Sequence, residues 1–216
     1  MKALDLFCKA GGASMGLYQA GLEVTGVDIE NQPHYPFKFV QSDALTFDLS
    51  GYDFIWASPP CQKYSIASMN QRRDGVEYPD LIQPMRNRLI SCGTPWVMEN
   101  VPGSPLENAI VLCGSIFGLP IVRHRIFEAS FHLGLVPPCQ HDAFPITICG
   151  HGTPTWMRQK LLKAGMHPNA SVAMKRDAMG ISWMNREELS QAIPPAYSKY
   201  IAEQFLAQHI ARTFAQ

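Results

Sequence analysis

The amino-acid sequence predicts an α/β fold built on a parallel doubly wound sheet. Three observations predict it. Short apolar runs alternate with helix-length segments through the first half, a glycine pair follows the first run, and chemically distinctive polar residues fall where the runs end. In such sheets ligands bind outside the carboxyl ends of the strands. Residues 3–7 read as the first strand, and Gly11-Gly12 then opens a helix over 13–21 that Gly21 stops. Residues 23–28 form a second strand ending in Asp28, 38–41 a short third ending near Asp43, and 52–57 a fourth. A helix over 79–92 leads to a strand at 96–98, directly before Glu99. From 129 to 170 prolines and glycines predict a loop-rich stretch. Regular structure returns at 177–184 and from Pro194. Residues 197–214 fit a closing amphipathic helix that buries Tyr200, Ile201, Phe205, Ile210 and Phe214.

A length of 216 residues, 46% of them hydrophobic and 17% charged, suits one globular domain, or one domain with a small appendage. No apolar run is long enough to cross a membrane, and the start Met1-Lys2-Ala3-Leu4-Asp5 lacks an apolar signal core, so a cytoplasmic protein with no membrane partner is expected. Eighteen basic residues balance eighteen acidic ones. That balance counts against a uniformly basic nucleic-acid binder. It leaves open either scattered solvated charge or a local basic face drawn from Arg72, Arg73, Arg86, Arg88, Arg123, Arg125, Lys160, Lys163, Lys175 and Arg176. The six cysteines are widely spaced and are expected to be reduced. Cys139-Gln140-His141 and Cys149-Gly150-His151 form two Cys-x-His pairs, but the spacing is not that of common zinc fingers, and no metal is expected.

The chemistry points to Ser58-Pro59-Pro60-Cys61-Gln62. It follows the apolar run Phe54-Ile55-Trp56-Ala57, and two prolines fix the direction of the thiol. Cys61 is either a nucleophile or a buried structural thiol. Glu99-Asn100-Val101 ends a second apolar run, and Glu99 is a proton donor if it faces Cys61, or otherwise a capping acid. Arg123-His124-Arg125 precedes a third run, and its alternation predicts both arginines on one strand face, as a clamp for an anion or as surface salt bridges. His124 is available as a thiolate base, although it sits between two arginines. The glycine turn with Asp28 and Asp43 suits an adenosyl ligand, with Asp28 on ribose hydroxyls and Asp43 on the adenine amino group.

In order and spacing these residues resemble the DNA cytosine-C5 methyltransferases across almost the whole chain. Asp5-Leu6-Phe7 with Gly11-Gly12 is similar to the family's first cofactor motif, Gly26-Val27-Asp28-Ile29 to the second and Ser42-Asp43-Ala44 to the third. Pro59-Pro60-Cys61-Gln62-Lys63-Tyr64-Ser65 resembles the catalytic Pro-Cys-Gln motif. Glu99-Asn100-Val101 and Arg123-His124-Arg125 match the next two motifs, and residues 191–197 resemble the last, which packs back onto the cofactor site. The brevity resembles compact phage-encoded members, which places the expected protein in a host-cell cytoplasm.

The resemblance implies a Rossmann-like class I AdoMet-dependent methyltransferase sheet with a short loop-rich recognition insertion. It implies a cofactor-binding and catalytic core at 1–128, a reduced target-recognition region at 129–170 and returning motifs at 171–216. The implied cofactor is S-adenosyl-L-methionine (AdoMet), held by Phe7, Lys9, Gly11, Gly12, Asp28, Ile29, Asp43, Pro59 and Gln191. Cys61 is the implied nucleophile, Glu99 the group on N3 and N4 of cytosine, Arg125 the contact to O2 and Arg123 its support. The implied partner is DNA or RNA, met by a monomer, with Gln62, Ser65, Asn100, Arg72, Arg73, His151, Trp156, Arg158 and Lys160 as substrate contacts.

Two positions depart from the family pattern. Lys9 stands where a glycine is usual, and Gln191 where an asparagine is usual. The departures are harmless drift, or they fit a donor carrying an extra carboxylate that Lys9 would pair. A tRNA cytosine methylase and a catalytically silent nucleic-acid binder carry the same motifs. A thiol enzyme acting on a small nucleotide is a further alternative.

Overall fold

The computed structural model describes residues 1–141, 145–148, 155–165 and 170–214, with backbone alone at 155–157 and 212–214. The first half follows the predicted alternation: β1 (Lys2–Leu6), α1 (Gly12–Gln19), β2 (Glu23–Asp28), β3 (Lys38–Gln41), β4 (Phe54–Ala57), the short α2 (Met69–Arg73), α3 (Ile82–Cys92) and β5 (Trp96–Asn100). Then come β6 (Ile110–Leu112), β7 (Arg125–Ala129), α4 (Thr155–Lys163), α5 (Val172–Met179), α6 (Arg186–Gln191) and α7 (Pro195–Phe214). The strands form one seven-stranded sheet in the order β3-β2-β1-β4-β5-β7-β6.

The sheet is mixed rather than wholly parallel. From β3 through β5 every pair is parallel, but β7 runs antiparallel to both β5 and β6. The reversal matters for function. A parallel strand delivers its end to the ligand edge, and an antiparallel neighbour delivers its beginning there. This is how Arg125, first residue of β7, reaches the edge where β4 and β5 end.

The period-2 alternation of the central strands sorts their side chains onto two faces. Ala3, Phe54, Trp56, Val97 and Phe127 pack with Leu17 of α1 and with Tyr197, Ile201 and Phe205 of α7. Leu4, Leu6, Ile55, Ala57, Trp96 and Met98 pack on the other face with Ile82, Met85 and Leu89 of α3. With both faces covered, these strands read as continuous apolar runs. A third cluster joins Ala178, Met179, Met184 and Leu189 to Ala10 and Ile121, fastening α5 and α6 over the ligand edge. Helix α7 lies against α1 at closest approach near Gly16, where a Cβ would stand 2.0 Å from the Pro195 carbonyl oxygen. Only glycine permits that contact.

Several elements differ from the expectation. Glu99 lies inside β5, not after it, because the β7 partner extends the strand to Asn100. The short β6 carries no alternating pattern of its own, and α4 lies in the stretch expected to be loop. In α7, Ile201 and Phe205 are buried as expected, but Ile210 is 54% exposed. No residue from Leu206 to Ala211 is buried, because at about 30 Å this helix is longer than the strands it covers. The side chain of Phe214 lies outside the described residues. No helix among the described residues is long and apolar enough to cross a membrane. No disulfide joins Cys8, Cys61, Cys92, Cys113 or Cys139.

Candidate active site

β4 ends at Ala57, and Ser58 adds one more backbone bond, to the Leu6 carbonyl at 3.1 Å. Pro59 and Pro60 have no N–H to continue the ladder, so the chain leaves the sheet and presents Cys61 beyond its edge, partly exposed. The Cys61 carbonyl accepts the amides of Tyr64 and Ser65 at 2.9 and 2.8 Å, which closes a tight turn behind the thiol. The Asn100 amide donates to the Pro59 carbonyl at 3.0 Å, tying this turn to the end of β5.

Glu99 is buried, and its Oε1 lies 3.1 Å from Nε of Arg125. Burial pushes the Glu99 carboxyl above the ordinary carboxylate range, against the opposing pull of Arg125, the Ser58 hydroxyl and Arg123. Burial, and after it the charge of Glu99, push the Cys61 thiol up, with Arg125 and Arg123 only partly compensating. Cys61, Glu99, Arg123 and Arg125 therefore sit within one another's electrostatic reach. A buried acid that holds its proton more tightly beside a thiol is suited to general acid chemistry.

The two arginines bond different partners. Arg125 turns to Glu99, whereas Arg123 precedes β7 and donates through Nη2 to the Ser190 carbonyl at 2.6 Å. Its own carbonyl accepts the Tyr197 hydroxyl at 2.7 Å. Burial and the charge of Arg125 pull the Arg123 guanidinium down to about 9, so it stays charged at neutral pH. Its buried Nε has no partner among the described residues, leaving a donor available to a ligand. His124 does not serve Cys61: its Nε2 lies 3.5 Å from the sulfur of Cys139 instead.

The residues expected to hold an adenosyl group lie at the ends of β1, β2 and β3. Phe7 and Lys9 adopt left-handed backbone, with φ of 61° and 44°. This accounts for a glycine preference at position 9 and gives Lys9 a cost of roughly 1 kcal/mol. The Lys9 amide donates to the Asp28 carboxylate at 3.0 Å, and the Lys9 ammonium sits 2.7 Å from Glu30 and 3.6 Å from Asp28. Gly11 begins α1 without a side-chain cap. At Gly12 a Cβ would stand 2.6 Å from the Ile193 carbonyl, so the segment after Gln191 packs against the first turn of α1. Gln191, the last residue of α6, is exposed. Ile29 is 67% exposed, an apolar platform at the end of β2, and the exposed Asp43 follows β3. Beneath them the buried Asp5 bonds the Ser14 hydroxyl through one oxygen, while the other has no partner. Burial outweighs the Ser14 bond and raises Asp5 to about 7. Uncapped helix N–H groups, an apolar shelf, two acids and an orphaned buried oxygen fit an adenosyl group with an amino acid tail.

The expected substrate contacts are not gathered in the same way. Arg72 turns inward, its Nη1 donating to the Gln62 and Ser65 carbonyls at 2.6 and 2.8 Å, so it stiffens the Cys61 turn. Ser65 caps a 3-10 turn, accepting the Ala67 amide at 3.1 Å. Gln62, Arg73, Arg158 and Lys160 are exposed. His151 and the Trp156 side chain lie outside the described residues. Nor do the other cations form one basic face. Arg86 is buried in a two-pronged pair with Glu128 at 2.7–2.8 Å, Arg88 bonds the Ala44 and Phe47 carbonyls, Lys175 is buried, and Arg176 bonds the Met184 carbonyl. Ser14 and Tyr35, close to Asp5, escape sequence reading, and the individual contacts of Ser58 and Tyr197 do too. A serine or tyrosine carries no pattern of its own, and only the fold brings Tyr35 to Ser14 at 2.7 Å or Tyr197 to Arg123.

Residues 1–104 match the family model of the C-5 cytosine-specific DNA methylase. Among curated proteins, the chain is 27% identical over 169 residues to the type II methyltransferase M.HgiDI of Herpetosiphon aurantiacus, covering 63% of this chain and 54% of that one. It is also 27% identical over 124 residues to M.HgiGI of the same organism, covering 50% of this chain and 96% of the relative. The chain thus spans about half the length of the first relative, 54% of it, and nearly all of the second, 96%. Its fold is similar to that of a prophage-encoded E. coli protein assigned as a DNA modification methyltransferase, with TM-score 0.64, 15% identity and coverage of 96% and 99% of the two chains. The Dnmt2 methyltransferase of S. pombe is also similar, with TM-score 0.57, 12% identity and coverage of 95% and 97%. Over residues 1–104, just under half of its length, the chain is thus similar to the C-5 cytosine-specific DNA methylases.

Proposed function

We propose that the chain is an AdoMet-dependent DNA cytosine-C5 methyltransferase acting through a covalent bond between Cys61 and C6 of cytosine. The observation that carries this reading is that Cys61 follows β4 where β4 pairs with β5, and β5 carries the buried Glu99, paired with Arg125 at 3.1 Å, at that same sheet edge. C5 of cytosine is a poor nucleophile. Addition of the Cys61 thiolate to C6, with the Glu99 proton shared onto N3, converts C5 into an enamine-like carbon. AdoMet, when bound, supplies an electrophilic methyl group to that carbon. Arg125 orients both Glu99 and the base, and Arg123 fixes the arginine motif to the last turn of α6. Loss of the C5 proton then lets the C6–sulfur bond break, releasing 5-methylcytosine and the thiolate. A base inside a duplex is out of reach of Cys61, so the target is flipped out or single-stranded.

AdoMet would be held by the turn from Phe7 to Gly12, by Asp28 and Ile29, and by Asp43. The Lys9 ammonium is already paired with Glu30 and Asp28, which favours the ordinary donor over one with an added carboxylate. Residues 129–170, where α4 is the one regular helix among the described residues, would form the reduced recognition region.

The test is covalent trapping. DNA containing 5-fluorocytosine, incubated with the protein and AdoMet, should give a denaturation-resistant adduct one methyl group heavier than protein plus DNA. Cys61→Ala should give none. An adduct formed only on tRNA would move the reading to RNA, an added carboxyl mass would restore the altered donor, and no adduct on either polymer would overturn the proposal.

A further inference from the structure

We propose that Cys113, His124, Cys139 and His141 form a structural zinc site behind the active-site arginines. The spacing of these residues in the chain predicts no metal, and the sequence pairs Cys139 and His141 with Cys149 and His151, which lie outside the described residues. The fold pairs them differently. Leu112 of β6 stands opposite Arg125 of β7 in an antiparallel ladder. The next position in that register sets Cys113 against His124. The chain after β7 then returns, and the Gln140 amide donates to the Ser115 hydroxyl at 3.2 Å, which brings Cys139 and His141 over the same point.

The four ligand atoms all lie within 4.8 Å of one another. The Cys113 sulfur is 3.4 Å from Nε2 of His141, and the Cys139 sulfur 3.5 Å from Nε2 of His124. A tetrahedral zinc with ordinary bonds to sulfur and nitrogen has sulfur–nitrogen edges of about 3.6 Å. Two thiolates and two imidazoles favour zinc over magnesium, calcium or manganese, and four protein ligands leave no open position for chemistry. Binding converts both thiols to thiolates and releases their protons to solvent. Its consequence would be mechanical. Residues 130–141 contain no helix or strand, and two of the four ligands would clamp them to the residue between Arg123 and Arg125.

The full-length chain, purified without chelator and desalted after zinc loading, should carry about one zinc per molecule by elemental analysis. Cobalt(II) exchanged into the site should show thiolate-to-metal charge transfer. Cys139→Ser and His141→Ala, both outside the sheet, should each reduce bound zinc to roughly a tenth or less and abolish the cobalt band, while Cys92→Ser keeps both. Circular dichroism establishes that each variant is folded. Chelation of the parent should expose the 130–141 segment to limited proteolysis. Zinc content at background with no cobalt band, iron in place of zinc, a Cys113–Cys139 disulfide by mass spectrometry, or retention of metal by both variants would each overturn the proposal.

Discussion

From β3 to β5 each strand ends at the ligand edge and hands a functional group to the turn that follows: Lys9 after β1, Asp28 at the end of β2, Cys61 after β4 and Glu99 near the end of β5. β7 contributes to the same edge from the opposite direction, with Arg125 at its beginning, while β6, antiparallel to β7, runs with β5 and places Cys113 just past its end. In the parallel part, function lies a few residues from the strand that positions it, so local chemistry suffices: two prolines, a glycine turn, an acid. In the antiparallel part each group is held by a distant partner. Arg125 is held by Glu99, Arg123 by Ser190 and Tyr197, and β7 itself by the Arg86–Glu128 pair. The parallel part is therefore set by neighbours in sequence, and the antiparallel part by contacts that cross the molecule.

The point where the two parts meet should be the most sensitive. Glu99→Gln keeps the shape but cannot supply the proton, and a fall in methyl transfer of about 10²–10⁴-fold is expected. The same change removes the charge that raises the Cys61 thiol, so alkylation of Cys61 by iodoacetamide should reach its half-maximal rate at lower pH. An unchanged alkylation profile would mean that Glu99 and Cys61 are not coupled.

Within the antiparallel part, Glu128→Ala leaves Arg86 buried without its carboxylate, at an expected cost of about 3–5 kcal/mol in chemical denaturation. A loss below 1 kcal/mol, roughly that of an exposed pair, would show that β7 does not depend on this contact.

Asp5 tests the parallel part through pH. Its pKa is raised in the folded chain, to about 7, so its stabilising contribution is complete below the unfolded value of 3.8 and is lost as pH rises through 7. Asp5→Asn should remove that slope, leaving the variant about 2 kcal/mol less pH-sensitive than the parent between pH 5 and pH 8, roughly half of what the full shift would carry. Parallel stability curves for the two proteins would refute the burial argument. The smallest effect belongs to the exposed end of α7, where Ile210→Lys should change stability by no more than about 0.5 kcal/mol. A larger loss would mean that this end of the helix packs against something.

The sequence by itself determined the strand–helix alternation, the turn residues at the strand ends, and the candidates Cys61, Glu99, Asp28 and Asp43. Each is signalled within a window of about ten residues, by apolar period, proline or glycine. Tertiary structure alone decided the reversal of β7, the different partners of Arg123 and Arg125 and the inward turn of Arg72. It also decided the departure of His124 from the thiol and the meeting of Cys113 with Cys139 and His141. Strand direction is set by which neighbour completes the sheet, and a side chain's partner by which surfaces the core brings together. Neither leaves a local trace, because a short strand such as Ile110–Leu112 has the same composition whichever way it runs.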